Sequence, residues 1–221
     1  LEAGVPFGTA ELRDAMAAAY GASDAEGRWV WKTAYAACEV AQAMLLRRYG
    51  SALAVRSRSN QSQLAMWERL ARRIPTQTRR SETSQALQQF STPLPLAFVA
   101  AAASSIRPGD LVLEPSAGTG MLAIHAELAG AVLALNELAD GRADILDQLF
   151  PSAEVTRHDA AAIDDRLDDG VLPDVVLMNP PFSAAARVDR PMRDVALRHV
   201  SSALARVRSG GRLVAIVGAN C

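Results

Sequence analysis

The chain has 221 residues, half of them hydrophobic, and its 23 basic and 24 acidic side chains leave a formal net charge of −1. That is long and apolar enough for one α/β domain plus a smaller appended piece, and it excludes a disordered chain. No run approaches the roughly eighteen apolar residues of a membrane span, and Leu1-Glu2-Ala3-Gly4 lacks a basic region followed by an apolar stretch, so the expectation is a soluble, cytoplasmic protein.

Residues 1–80 read as a helical domain. Thr9 is the expected cap of a helix over Ala10–Tyr20, with Gly21 as its stop. Ser23 and Glu26 resemble a capping box for a long helix in which Ala34, Cys38, Ala41, Leu45 and Tyr49 recur at helical spacing up to Gly50. A third helix is predicted from about Ser62 to Ile74, presenting Leu64, Trp67, Leu70, Ala71 and Ile74, and closed by Pro75. Trp29, Trp31 and Trp67 suit the core of a small bundle better than base-stacking platforms. Between Arg47 and Arg80 stand nine arginines against one acid, Glu68. Either a phosphate-bearing partner or a solvated helix face in an arginine-rich chain accounts for them, since Lys32 is the only lysine.

Residues 81–221 change character. From Pro108-Gly109-Asp110 onward short apolar runs alternate with helical patterns, which predicts a doubly wound, Rossmann-like α/β fold with about five parallel strands. The expected strands are Leu111–Glu114, Val132–Asn136, Glu154–Arg157, Val175–Met178 and Leu213–Val217. Helices are expected after Gly120, over about Ala139–Phe150, and from Met192 to about Arg208 before Gly210-Gly211. Ligands of such a sheet bind at the strands' carboxyl ends, beside the switch point next to the first strand.

Glu114-Pro115-Ser116-Ala117-Gly118-Thr119-Gly120 turns from the first strand into a helix, with glycines where the backbone turns tightly and a ligand can approach. Gly118-x-Gly120-x-x-Ala123 also fits a dinucleotide fingerprint, but a carboxylate at the strand tip repels a pyrophosphate and suits the ammonium and sulfonium of S-adenosylmethionine. Glu137 ends the second strand, where it can accept from ribose hydroxyls, and Asp159 follows the third, where it can accept from an adenine amino group. Each also has a plain structural reading: a structural carboxylate for Glu114, a helix-start acid for Glu137, a turn residue before Ala160-Ala161-Ala162 for Asp159.

The fourth strand runs into Asn179-Pro180-Pro181-Phe182, and two prolines cannot donate to a sheet ladder, so the strand ends there. An aromatic amine is a poor nucleophile because its lone pair is delocalised into the ring. The Asn179 side-chain oxygen and the Pro180 carbonyl can each take one N–H and aim the lone pair at a methyl donor; Pro181 stiffens the turn and Phe182 offers a stacking face. No general base is required, since the product ammonium can lose its proton to water. His125, His158 and His199 are accordingly read as ordinary structural or surface residues.

Taken together, these residues resemble the amino-methyltransferase family that modifies adenine N6 in DNA. Phe90-Ser91-Thr92-Pro93 looks like that family's motif ten, which lines the methionine end of the cofactor site; Glu114–Gly120 looks like motif one; Glu137, Asp159 and Asn179–Phe182 match motifs two, three and four. The order is similar to the gamma class. The resemblance implies S-adenosylmethionine as cofactor and nucleic acid, DNA first, as partner, with Phe90, Thr92, Pro93, Glu114, Pro115, Ser116, Ala117, Gly118, Gly120, Glu137 and Asp159 on the cofactor and Asn179, Pro180, Pro181 and Phe182 on the reacting amine.

More narrowly, the helical preamble followed by Gln88-Gln89-Phe90-Ser91-Thr92-Pro93 resembles the amino-terminal part of bacterial strawberry-notch-like proteins, in which a methylase-like module precedes a helicase-type ATPase. The chain starts without Met, ends at Cys221 directly after an apolar pattern, and carries no phosphate-loop motif. A fragment lacking its last strands, with any ATPase beyond Cys221, is the expectation. Cys38 and Cys221 have no paired spacing, so neither a disulfide framework nor a zinc site is expected. Arg187 and Arg190, after Phe182, are either phosphate contacts or solvated charges. The alternatives are an RNA base or glutamine methyltransferase, a catalytically silent cofactor- or DNA-binding module, and, remotely, a nicotinamide dehydrogenase.

Overall fold

A computed structural model describes residues 5–75, 91–181 and 193–217. The chain divides into two compact units, Leu1–Gln85 and Ala86–Cys221.

The first unit is helical. Helix α1 spans Thr9–Tyr20 and is capped by Gly8, not Thr9, with no side chain accepting from the first turn; the Gly8 N–H instead donates to the Glu11 carboxylate at 2.9 Å, one half of a capping box. Gly21, at φ 63°, ends the helix in the left-handed conformation. Ser23 and Glu26 do form a capping box, but Gly27 stops it after one 3-10 turn, Asp24–Glu26. The long helix α2 starts later, at Trp31, and runs to Arg56, straight through Gly50. A helical glycine costs only about 1 kcal/mol, which packing around a buried position outweighs. Helix α3 spans Asn60–Ala71, capped by Ser59, whose hydroxyl accepts from the Ser62 N–H at 3.2 Å.

Leu12, Met16, Trp29, Ala34, Tyr35 and Cys38 form one buried cluster, with Phe7, Trp31 and Ile74 packed against it. Trp29 donates to the Ala22 carbonyl at 2.9 Å and Trp31 to Asp24 at 3.1 Å, while Trp67 is buried. Trp29 and Trp67 are therefore core residues and present no face to a base. Burial pushes the Cys38 thiol up to about 11, which makes it unreactive.

The second unit opens with α4 (Leu94–Ser104), preceded by Pro93 at its cap, and continues as a five-stranded parallel sheet. Its strands are β1 (Leu111–Glu114), β2 (Val132–Asn136), β3 (Glu154–Thr156), β4 (Val175–Met178) and β5 (Arg212–Ala215). Connecting them are α5 (Ala123–Leu128), α6 (Asp140–Leu149), a 3-10 segment (Ala160–Asp165) and α7 (Arg193–Arg206). β5 begins and ends earlier than expected because Arg212 is drawn into the ladder opposite Val175.

The strand order is β3-β2-β1-β4-β5. β1 and β4 lie at the centre and are covered on both faces, which explains their nearly unbroken apolar sequences, Leu-Val-Leu and Val-Val-Leu-Met. The order reverses between them, so the loop after β1 and the loop after β4 emerge side by side at the switch point. At the opposite end Asp174 accepts from the Leu111 N–H at 2.7 Å and pairs with Arg208, fixing β4 against β1. Ser202 pairs with Asp164, and Arg206 donates to the carbonyls of Leu167 and Asp168, stapling α7 to the 3-10 segment. No helix among the described residues is long and apolar enough to cross a membrane.

Candidate active site

A cleft of about 770 Å³, counting space open to solvent, lies at the carboxyl ends of the strands. Its walls come from places far apart in sequence: Ser91 and Thr92 ahead of α4, the loop Pro115–Thr119, the ends of β2 and β3, Arg142 of α6, Asn179 with Pro181, and His199 of α7.

The β1 loop is held open by backbone geometry and one carboxylate. Gly118 (φ 60°) and Gly120 (φ 84°) both take left-handed conformations. They differ in what they face. A side chain on Gly118 would meet only Arg142 at 3.6 Å, whereas one on Gly120 would strike the ring of Phe150 at 2.4 Å. Gly118 therefore serves the cleft, and Gly120 lets α6 pack under the loop. Glu137 accepts from the Gly118 N–H at 2.8 Å and, with its other oxygen, from the Ala139 N–H at 2.9 Å. Its helix-start role is thus real, and it lines the cleft as well.

Glu114 lies beneath the loop, 2% exposed, and does not reach the cleft wall; one carboxylate oxygen is buried without a hydrogen-bond partner. Burial raises its pKa well above the usual carboxylate range, and the nearby Glu137 charge raises it further, against a lowering hydrogen bond from the Ala123 N–H. Asp159 lines the cleft while one of its oxygens accepts from the Ala161 N–H at 2.9 Å, capping the 3-10 segment.

Asn136, which the sequence reading did not single out, ties these parts together. Fully buried at the end of β2, it donates to the Pro115 carbonyl at 2.8 Å and to the His158 carbonyl at 2.9 Å. Its oxygen accepts from the His158 N–H and the Thr156 hydroxyl, each at 2.8 Å. All four hydrogen-bonding positions of the amide are used. A polar residue closing an otherwise apolar strand was the signal available for it.

At the end of β4 the Asn179 amide donates to the Thr92 hydroxyl at 3.0 Å, and its oxygen is buried with no hydrogen-bond partner. Pro181 lines the cleft; Pro180 is buried beside it. Pro93 caps α4 and does not reach the cleft wall. Phe90, Phe182, Arg187, Arg190 and Cys221 lie outside the described residues.

The histidines divide. His125 packs edge-on against Phe98, ring centroids 6.0 Å apart, and burial lowers its pKa to about 4, as fits a structural residue. His158 and His199 instead line the cleft. His199 shares the buried face of α7 with Ala196 and Ala203, and a histidine at that spacing was the signal.

No family model matches the chain, and no curated protein matches it. Among solved structures it is similar to TrmN from Thermus thermophilus, with 19% identity and a TM-score of 0.48 over 65% of this chain and 47% of that one. It is also similar to a protein assigned as an RNA methyltransferase from Pyrococcus horikoshii, with 22% identity and a TM-score of 0.47 over 64% and 67%. A third likeness is to the C-terminal domain of precorrin-6Y C5,15-methyltransferase from Rhodobacter capsulatus, with 20% identity and a TM-score of 0.42 over 62% and 68%. The chain spans about half the length of the first of these.

Proposed function

We propose that the chain is an S-adenosylmethionine-dependent methyltransferase acting on an exocyclic amino group, with adenine N6 in DNA as the substrate. The observation that carries this reading is the unpartnered oxygen of Asn179, buried at the switch point with its own N–H₂ committed to Thr92. A buried acceptor left unpaired costs about 1–3 kcal/mol, and an incoming amine N–H removes that cost.

The residues present fit the cofactor. The cleft lies at the carboxyl ends of the strands, Gly118 gives a nucleoside a close backbone approach, and Glu137 and Asp159 present carboxylates to it. Phe90 is assigned to the methionine end, where Thr92 holds Asn179, while Pro93 at the cap of α4 and Glu114 beneath the loop support these walls from behind. The loop Pro115, Ser116, Ala117, Gly118 and Gly120 is assigned to the nucleoside, Glu137 to the ribose hydroxyls and Asp159 to the adenine amino group. When bound, the cofactor supplies a methyl group activated on a sulfonium.

The chain's own residues do the positioning. Asn179 Oδ1 and the Pro180 carbonyl each accept one N–H of the substrate amine, drawing its nitrogen out of conjugation so that the lone pair points toward the methyl donor. Pro181 limits the motion of that carbonyl, and Phe182 is assigned the stacking face for a flipped base. The surplus proton leaves to water after transfer. A helicase-like ATPase in the same polypeptide is the partner suggested by the strawberry-notch resemblance.

Incubating the full polypeptide with methyl-labelled S-adenosylmethionine and, in competition, DNA, RNA and protein tests the reading. Label on adenine N6 of DNA, abolished by Asn179→Ala, is the expected result. Label on RNA or guanine amines would move the substrate but keep the site, and label on protein or none at all would remove the proposal.

A further inference from the structure

His199 has no part in the chemistry proposed above, yet it stands in the wall of the cleft while only 8% exposed. Its Nδ1 is buried with no hydrogen-bond partner. A buried imidazole nitrogen left without a partner carries an uncompensated cost, which a ligand in the cleft would relieve. Its position says which part. It lies near enough to Asp159 for that carboxylate to favour its charged form, although burial, the larger influence, and Arg198 hold its pKa below the ordinary histidine value. The ring thus meets a ligand as neutral imidazole, with one N–H to donate.

Asp159 and His199 both line the cleft and are complementary, one accepting and the other donating. Asp159 offers an acceptor, and the only donors on the edge of an adenine ring are its two amino hydrogens; every other edge heteroatom is a ring nitrogen that accepts. A donor beside Asp159 therefore addresses a ring nitrogen. Guanine or hypoxanthine would set a carbonyl against the carboxylate, leaving Asp159 unpaired and repelled.

We propose that the imidazole of His199 donates to a ring nitrogen of the cofactor's purine and, with Asp159, makes the cleft specific for adenine. This rests on the S-adenosylmethionine reading. The test is calorimetry with S-adenosylhomocysteine and its 1-deaza, 3-deaza and 7-deaza analogues, none of which depends on methyl transfer. The wild type is expected to bind one analogue about tenfold more weakly than the parent, the loss of one hydrogen bond. His199→Phe should bind the parent about tenfold more weakly and no longer distinguish that analogue.

Asparagine and glutamine place an amide N–H near Nδ1 and Nε2 respectively, so one of His199→Asn and His199→Gln should restore the discrimination. Those two variants carry the test if the phenylalanine variant does not fold. Equal binding of all four ligands by the wild type, or discrimination unchanged in His199→Phe or retained by neither amide variant, overturns the inference while leaving the cofactor reading intact. Failure of the wild type to bind S-adenosylhomocysteine at all overturns both.

Discussion

Across 87 residues of chain, the Asn179 side chain donates to the Thr92 hydroxyl at 3.0 Å, and this bond orients the amide so that its oxygen is the atom left for another donor. Thr92 is then a positioning residue for Asn179. Thr92→Val, nearly isosteric, should lower the rate of methyl transfer about tenfold, the worth of one lost hydrogen bond, while S-adenosylhomocysteine binding changes much less. Thr92→Ser should recover most of the rate. Equal losses in rate and binding would mean that Thr92 acts on the cofactor alone.

Asn136 joins the β1 loop to the end of β3 through four hydrogen bonds from a fully buried amide. Asn136→Leu leaves the Pro115 and His158 carbonyls without these donors, so a loss of about 2–4 kcal/mol is expected in chemical denaturation. Asn136→Asp should be at least as damaging, since it sets a carboxylate oxygen against two carbonyl oxygens.

Gly120→Ala tests the fit of α6 under the loop. The new methyl would lie 2.4 Å from the Phe150 ring at a φ of 84°, so steric and backbone penalties add to about 2 kcal/mol or more. Adding Phe150→Leu should return part of the steric cost and none of the backbone cost, giving a double-mutant coupling measurable by thermal unfolding. Gly118→Ala, with only Arg142 nearby at 3.6 Å, should cost less.

His125 makes the fold sensitive to acid. Its pKa falls from 6.5 to about 4 on burial, so the unfolded chain takes up the proton first. The stability involved is fully present above pH 6.5 and is lost as pH falls toward 4, by about 3 kcal/mol. His125→Leu should therefore gain on the wild type as melts are moved from about pH 7.5 to about pH 4.5. A difference independent of pH would contradict the assignment.

Glu114 works in the opposite direction. Its raised pKa means that the folded state holds the proton more tightly than the unfolded one, so stability is fully present below pH 4.5 and is lost as pH rises through the raised value. Glu114→Gln removes the ionisation, and its melting temperature should exceed that of the wild type by a margin that grows between about pH 5 and about pH 8.

Local chemistry decided much of this protein in advance. The apolar runs of β1, β2 and β4 match their strands residue for residue, because a buried central strand leaves no choice but unbroken hydrophobicity. The glycines of the β1 loop were legible because left-handed backbone excludes most other residues, and the end of β4 because two prolines forbid its continuation. Signals of the same kind misled where packing outweighed them, as at Gly50, which lies inside α2, and at Ser23, whose capping box closes a single turn.

What the sequence could not contain was adjacency. That β4 returns to lie beside β1, with two strands and their connections between them in the chain, is a matter of crossover topology and of burying both faces of a twisted sheet. That return sets Asn179 against Thr92 and turns His199 from a helix-face residue into part of a ligand's wall, while Asn136 has two loops to bind because β2 lies between β1 and β3. Hydrogen bonds between residues dozens of positions apart have no local pattern to betray them; they exist because the fold, stabilised elsewhere, brings their partners within reach.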